Sequence, residues 1–167
     1  MSIYTKSGDK GVTSIISEES ISKADDRIEL LGTIDELSSF IGFAKVMTEE
    51  EIKKMLSEIQ MDLIIIMAGI ADMNNSDYIV EDKKIKKLEK EIDKIEESFK
   101  REKEFVLYGK CELSARLDLA RAVARRAERC LARVNLSYKL NTNTTIYMNR
   151  LSDFFYILAR FEDSKKG

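Results

Sequence analysis

Apolar residues recur along this chain at steps of three and four, the spacing of one face of a helix. Leu30, Ile34, Leu37, Ile41 and Ala44 keep that step and predict a first long helix over about 26–47, with Asp25 or Asp26 as its N-cap. Gly32, Ser38, Ser39 and Gly42 in the same stretch are small and permit close helix contact. Thr48-Glu49-Glu50-Glu51 reads as a capping box that opens a second helix, about 49–73. Its second half, Met61 to Ala71, is apolar on nearly every face, which predicts a central place in the core. Asn74 to Asp77 reads as a turn. Ile85, Leu88, Ile92, Ile95 and Phe99, with lysine and glutamate between them, predict a third helix over about 81–101 whose role is packing. Leu113, Leu117, Ala120, Ala124, Ala127, Leu131 and Val134 form the stripe of a fourth, about 112–134. After a polar Asn/Thr-rich link, Leu151, Phe155 and Leu158 mark a last helix, about 144–162. Five helices with short links predict an all-α fold, an antiparallel bundle of up-and-down, ferritin-like topology over residues 26–162. Residues 1–24 read as an ordered loop with one short strand or turn.

Length and composition narrow this picture. A chain of 167 residues fits one domain, 1–167, with room for a real core. Hydrophobic residues at 44% and charged residues at 35% suit a soluble helical protein with amphipathic surfaces. A net charge of -2 offers no excess of phosphate-neutralising charge, so no nucleic-acid partner is expected. The longest apolar run, Leu63 to Ala71, is too short to span a bilayer. No charged-then-apolar segment opens the chain, and Cys111 and Cys130 are isolated, so a cytoplasmic setting is expected. There is no proline, so helices can run without kinks. There is no histidine, which excludes Ser-His-Asp and Cys-His catalysis and histidine-bound zinc.

Chemistry gathers on the fourth predicted helix. Arg121, Arg125 and Glu128 stand at i, i+4 and i+7, each one position after a residue of the apolar stripe. At the edge of a buried seam a guanidinium can be partly desolvated and held. An arginine pair oriented by a carboxylate is a seat for a polyphosphate; a solvated basic face is the plainer alternative. Thr5-Lys6-Ser7-Gly8-Asp9-Lys10-Gly11-Val12-Thr13 places two glycines among lysines and threonines. It reads equally as an anion cradle of backbone N–H groups or as a mobile polar terminus, and it lacks the ending of a Walker A loop. Asp35 lies inside the first apolar helix and calls for a cationic partner, with Arg121 the best candidate, within the chain or across a subunit contact, unless Asp35 points to solvent. The apolar stretch from Phe105 to Lys110 is either a core plug or the lining of a site for a large flat ligand. Asn149, Asp153, Tyr156 and Arg160 share one polar stripe of the last helix, and Asn149 is a plausible ligand contact there.

Four blocks of the chain resemble those of the PduO-type ATP:cob(I)alamin adenosyltransferases. They are Thr5 to Thr13, Asp26-Arg-Ile-Glu with Gly32-Thr-Ile-Asp-Glu-Leu37, Arg121 to Arg129, and Tyr147-Met-Asn-Arg-Leu-Ser-Asp153. They occur in the family's order and span the chain. The resemblance implies transfer of the 5′-deoxyadenosyl group of ATP to the cobalt of cob(I)alamin, with release of triphosphate. It implies a homotrimer with sites at the subunit contacts and an N-terminal loop that closes over the nucleotide. ATP would be held by Thr5, Lys6, Gly8, Asp9, Gly11, Thr13, Lys23, Arg27, Arg125, Glu128 and Asn149. Arg121 matches an arginine that pairs with the helix-one aspartate, here Asp35, across the contact. Phe105 matches a phenylalanine beneath the corrin ring that displaces the lower axial ligand. With Arg125, these three are the expected catalytic residues. Mg²⁺ would ride mainly on the ATP phosphates, and a reductase or an acceptor enzyme is an implied partner. Cob(I)alamin is itself a strong nucleophile, so the reaction needs no imidazole base. The chain departs from the family at Tyr108-Gly109-Lys110, where Pro-Gly-Gly is usual. It departs again at Asp118, where many members have histidine, and at Leu31, where many have tyrosine. The alternative is an ATP-binding regulatory or cobalamin-handling protein on the same bundle, without transferase activity.

Overall fold

The computed structural model describes Tyr4 and residues 6–101 and 104–166. Five helices carry the fold: α1 Asp26–Lys45, α2 Glu50–Ala71, α3 Asp82–Glu97, α4 Glu112–Ser137 and α5 Thr142–Ser164. Their starts follow from capping chemistry. The Asp25 carboxylate accepts the Arg27 backbone N–H at 2.8 Å and so opens α1. Asn141 does the same for α5 through the Asn143 N–H at 2.8 Å. At α4, Ser114 N–H donates to Cys111 Sγ at 3.4 Å while Cys111 N–H donates to Ser114 Oγ at 3.2 Å, a reciprocal cap. The expected capping box at Thr48 does not form. Glu49 is the N-cap residue without a side-chain bond, and the Thr48 hydroxyl donates back to the Lys45 carbonyl at 2.8 Å. The link between α1 and α2 is so short that this hydroxyl meets the orphan carbonyls ending α1 first. Helix α3 stops earlier than its pattern predicts, yet Phe99 beyond it still packs on Phe161, ring centroids 5.8 Å apart.

Helix α4 lies between α1 and α5, α2 packs on α1, and α3 packs on α5. The predicted stripes meet there: Leu30, Ile34, Leu37 and Ile41 of α1, Leu117, Ala120, Ala124 and Ala127 of α4, and Leu151, Phe155 and Leu158 of α5 are all fully buried. Three alanines on the α4 seam let neighbours approach it from both sides, which makes α4 the centre. The expectation that α2 is central is therefore corrected. Met61 and Ile64 of α2 are exposed. Charge instead ties α2 to α3, through Asp62 with Lys84, Glu58 with Lys87, and Glu51 with Lys94. Tyr147 of α5 donates its hydroxyl to the buried Asp62 at 2.8 Å, and burial pushes its pKa up.

The N-terminal segment is more ordered than one strand or turn. A 3-10 turn, Ser7–Lys10, leads into a hairpin of β1 Val12–Ile15 and β2 Glu18–Ser22, with Val12 opposite Ser22 and Thr13 opposite Ile21. Ser17 fixes the hairpin tip to the bundle: its N–H and its hydroxyl both donate to the Ala71 carbonyl that ends α2, at 3.1 and 2.9 Å. No helix among the described residues is long and apolar enough to cross a membrane.

Candidate functional site

The predicted site residues fall into three groups. The first is the N-terminal turn and the start of α1. Gly11 takes a left-handed φ of 77°, open to glycine without strain, and its carbonyl accepts from Lys23 N–H at 2.9 Å. That bond folds Lys23 back over the turn, so closely that a Cβ on Gly8 would lie 2.9 Å from the Lys23 ammonium. Lys6 holds a left-handed φ of 62°, a conformation a non-glycine residue keeps only when its surroundings impose it. Lys6 and Asp9 are exposed and Thr13 is half-buried. Thr5 lies outside the described residues. Arg27 is buried. Its Nε and Nη2 donate to the two Asp25 oxygens at 3.0 Å each, its Nη1 meets Glu18 at 2.9 Å, and its guanidinium stacks on Tyr138 at 4.6 Å. The Asp25 hydrogen bonds raise the Arg27 pKa above its ordinary value, and the same bonds hold the Asp25 carboxyl below its own.

The second group is on α4 and α5. Glu128 Oε1 accepts from Asn149 Nδ2 at 2.8 Å, joining two residues 21 positions apart. The Asn149 oxygen accepts from Arg150 at 2.9 Å, and Arg150 in turn donates to Glu89 at 2.9 Å, so the amide is fixed from both ends. Beside this pair, one turn back along α4, Arg125 is exposed, and no carboxylate among the described residues engages its guanidinium. No hydrogen bond or ion pair among the described residues joins this group to the N-terminal turn.

The third group is the loop before α4. The Phe105 ring is fully exposed, and so, at 90%, is Leu107. A core plug is thereby excluded. The Tyr108 ring faces two guanidiniums, with Arg121 Cζ 4.8 Å and Arg160 Cζ 5.3 Å from its centroid. Arg121 Nε donates to Asp118 at 3.0 Å, and Arg160 Nη2 donates to the other Asp118 oxygen at 2.5 Å.

Asp35 is exposed on α1, the alternative left open for it, and within this chain Arg121 pairs with Asp118. Asp35 stands on the solvent side of the α1 stripe and stays in water, whereas Asp118 lies one turn from Arg121 on the same helix. One expectation is corrected here. Arg160, expected on a polar stripe, is 4% exposed, held by Asp118 and Asp163. Burial works against its charge, but these two carboxylates outweigh it and its pKa is raised. In the sequence Tyr108 and Asp118 stand out only as departures from the family, with no role, and Asp163 does not stand out at all. Asp118–Arg121 and Arg160–Asp163 are each visible as i, i+3 pairs; their junction across α4 and α5 is not. No three metal-ligating side chains converge among the described residues.

Residues 3–162 match the family model for cobalamin adenosyltransferase. The corrinoid adenosyltransferase PduO of Salmonella typhimurium is 37% identical over 98% of this chain, and the chain spans half, 50%, of that relative's length. A corrinoid adenosyltransferase of Bacillus subtilis is 34% identical over 100% of the chain and 89% of its own. Among solved structures, a variant PduO-type ATP:corrinoid adenosyltransferase from Lactobacillus reuteri, complexed with cobalamin and ATP, superposes with a TM-score of 0.91 at 32% identity, over 98% of this chain and 94% of that one.

Proposed function

This chain belongs to the cobalamin adenosyltransferase family, and from that premise we propose that it transfers the 5′-deoxyadenosyl group of ATP to the cobalt of cob(I)alamin. The Co(I) electron pair attacks C5′, a cobalt–carbon bond forms, the C5′–O bond breaks, and triphosphate leaves with that bond's electrons. No proton need be abstracted, which suits a chain without histidine. The protein's share is positioning and charge. Arg125 receives the leaving triphosphate, and the Glu128–Asn149 pair orients the nucleoside beside it. The turn with Lys6, Gly8, Asp9, Gly11 and Thr13, with Thr5, Lys23 and Arg27, closes on the phosphates. Arg27 already gives three guanidinium contacts to Asp25 and Glu18, so a phosphate would take its remaining N–H donors or compete with those carboxylates. Mg²⁺ when bound supplies further neutralisation; with no three-ligand cluster among the described residues, it would sit on phosphate oxygens. The exposed Phe105 ring meets the lower corrin face and displaces the axial ligand, which eases reduction to Co(I). A one-electron donor, a reductase in the cell, must supply that electron.

The observation that carries this reading is the exposed Arg125 guanidinium, engaged by no carboxylate among the described residues, beside the Glu128–Asn149 hydrogen bond. The active unit is a homotrimer whose sites span subunit contacts, where the exposed Asp35 finds its arginine. The setting is cytoplasmic, in keeping with two free cysteines. The test is incubation with ATP, Mg²⁺ and chemically reduced cobalamin, followed by the visible spectrum of the cobalt–carbon product. ATP binding without product would instead favour the regulatory reading, to which the unusual Tyr108-Gly109-Lys110 turn lends support.

A further inference from the structure

Resting on the reaction just proposed, we propose that Tyr108 is a positioning residue: its ring, seated on the Arg121 and Arg160 guanidiniums, holds the loop that carries Phe105 in place against α4. Phe105 and Leu107 bury almost nothing and Val106 between them is only half-buried, so apolar packing by itself holds this loop weakly. What engages it is charge. The Tyr108 centroid lies 4.8 Å from Arg121 Cζ and 5.3 Å from Arg160 Cζ, both within cation–π reach. Two guanidiniums under one ring would repel each other. Asp118 removes that repulsion by accepting from Arg121 Nε at 3.0 Å and from Arg160 Nη2 at 2.5 Å. Asp163 Oδ2 takes Arg160 Nε at 3.0 Å, and the Tyr156 ring stands 5.3 Å from the same guanidinium. The result is a chain, Asp163–Arg160–Asp118–Arg121, running from α5 to α4 with its inner members buried. Tyr108 is its roof.

The loop is fixed from its other side too. Gly109 has φ 93°, where a side chain is strained, and it turns the chain directly into the reciprocal Cys111–Ser114 cap of α4. Tyr108 therefore stands at a set distance from the α4 N-terminus, and Phe105 three residues before it. Arg121 joins the loop to the helix that presents Arg125 one turn on. Through Tyr108, the ring offered to the corrin and the cation offered to the triphosphate share one support.

The test compares the full-length wild type with Tyr108→Leu, which loses the ring, and Tyr108→Phe, which keeps it. Hydrogen exchange of the 104–110 amides is read first. Faster exchange in Tyr108→Leu, restored in Tyr108→Phe, is expected; equal rates in all three overturn the proposal, whether or not the wild type turns over. Kinetics are read next. A loss worth two cation–π contacts predicts KM for cobalamin raised about five- to tenfold in Tyr108→Leu, with KM for ATP moved less. The four-coordinate cob(II)alamin band should fall in step, and Tyr108→Phe should restore both. Equal damage in both variants would assign the role to the hydroxyl and overturn the proposal. A wild type that forms no adenosylcobalamin would sink the reaction assigned above, and the exchange rates would still decide the role of Tyr108.

Discussion

Arg125 and Phe105 are two exposed side chains that the packing of the bundle does not use. Arg125 has no carboxylate partner among the described residues, and Phe105 is a bare ring on a loop. Charge-assisted contacts are worth about 1.5–3 kcal/mol, so Arg125→Ala is expected to lower kcat/KM for ATP about ten- to a hundredfold. Steady-state kinetics against ATP check this, and unchanged constants would remove Arg125 from the site. Phe105→Ala should leave KM for ATP unaltered while the spectrum of four-coordinate cob(II)alamin weakens on binding. An unchanged spectrum would leave the ring without that role. Both residues were candidates in the sequence, Arg125 from its place one step off the apolar stripe and Phe105 from the resemblance, and the structure adds that both are exposed. The role of Asp118 was not legible there, because its i, i+3 spacing to Arg121 says nothing about a guanidinium 42 positions away on another helix.

At the scale of elements, the caps decide where helices begin, and the Asp25 cap also holds Arg27. Asp25→Ala removes the acceptor for the Arg27 N–H and should cost about 1 kcal/mol, read as a lower urea midpoint at pH 7. The pH dependence has a definite sign. The folded-state pKa of Asp25 lies below its ordinary 3.8, so the unfolded chain binds the proton more readily. Its contribution is present above about pH 4 and is lost as pH falls through the folded value. Asp25→Asn should therefore differ most from wild type near neutrality, and the two midpoints should converge in acid. The element ends also separate readable signals from contextual ones. Asp25 sits before a strict apolar repeat and was found. Thr48 carries an equally good cap pattern, yet its hydroxyl turns to Lys45 because the preceding helix ends only three residues before it.

For the whole molecule, the proposed nucleotide residues lie in two groups that no bond among the described residues joins, and Asp35 is exposed. The homotrimer proposed above, with its sites at subunit contacts, would account for both. Size exclusion with light scattering is expected to give about three times the 19.2 kDa chain mass. Asp35→Ala should reduce turnover and weaken that assembly while leaving the helical circular dichroism intact, since the residue is exposed in the single chain. A monomer with full activity would contradict the shared site.

The sequence by itself determined the five helices, their buried stripes and the charged residues beside the α4 seam, because a 3.6-residue period writes one face of a helix directly into the order of residues. Only the tertiary structure decided which helix is central. The bulkiest apolar stretch, in α2, lost that place to the alanines of α4, since close approach from two sides rewards small side chains over hydrophobic ones. It also decided who neutralises whom. Arg121 and Arg160 share Asp118 beneath Tyr108 because two helices and a loop converge there, and ion pairing depends on distances in space that spacing along a chain does not encode.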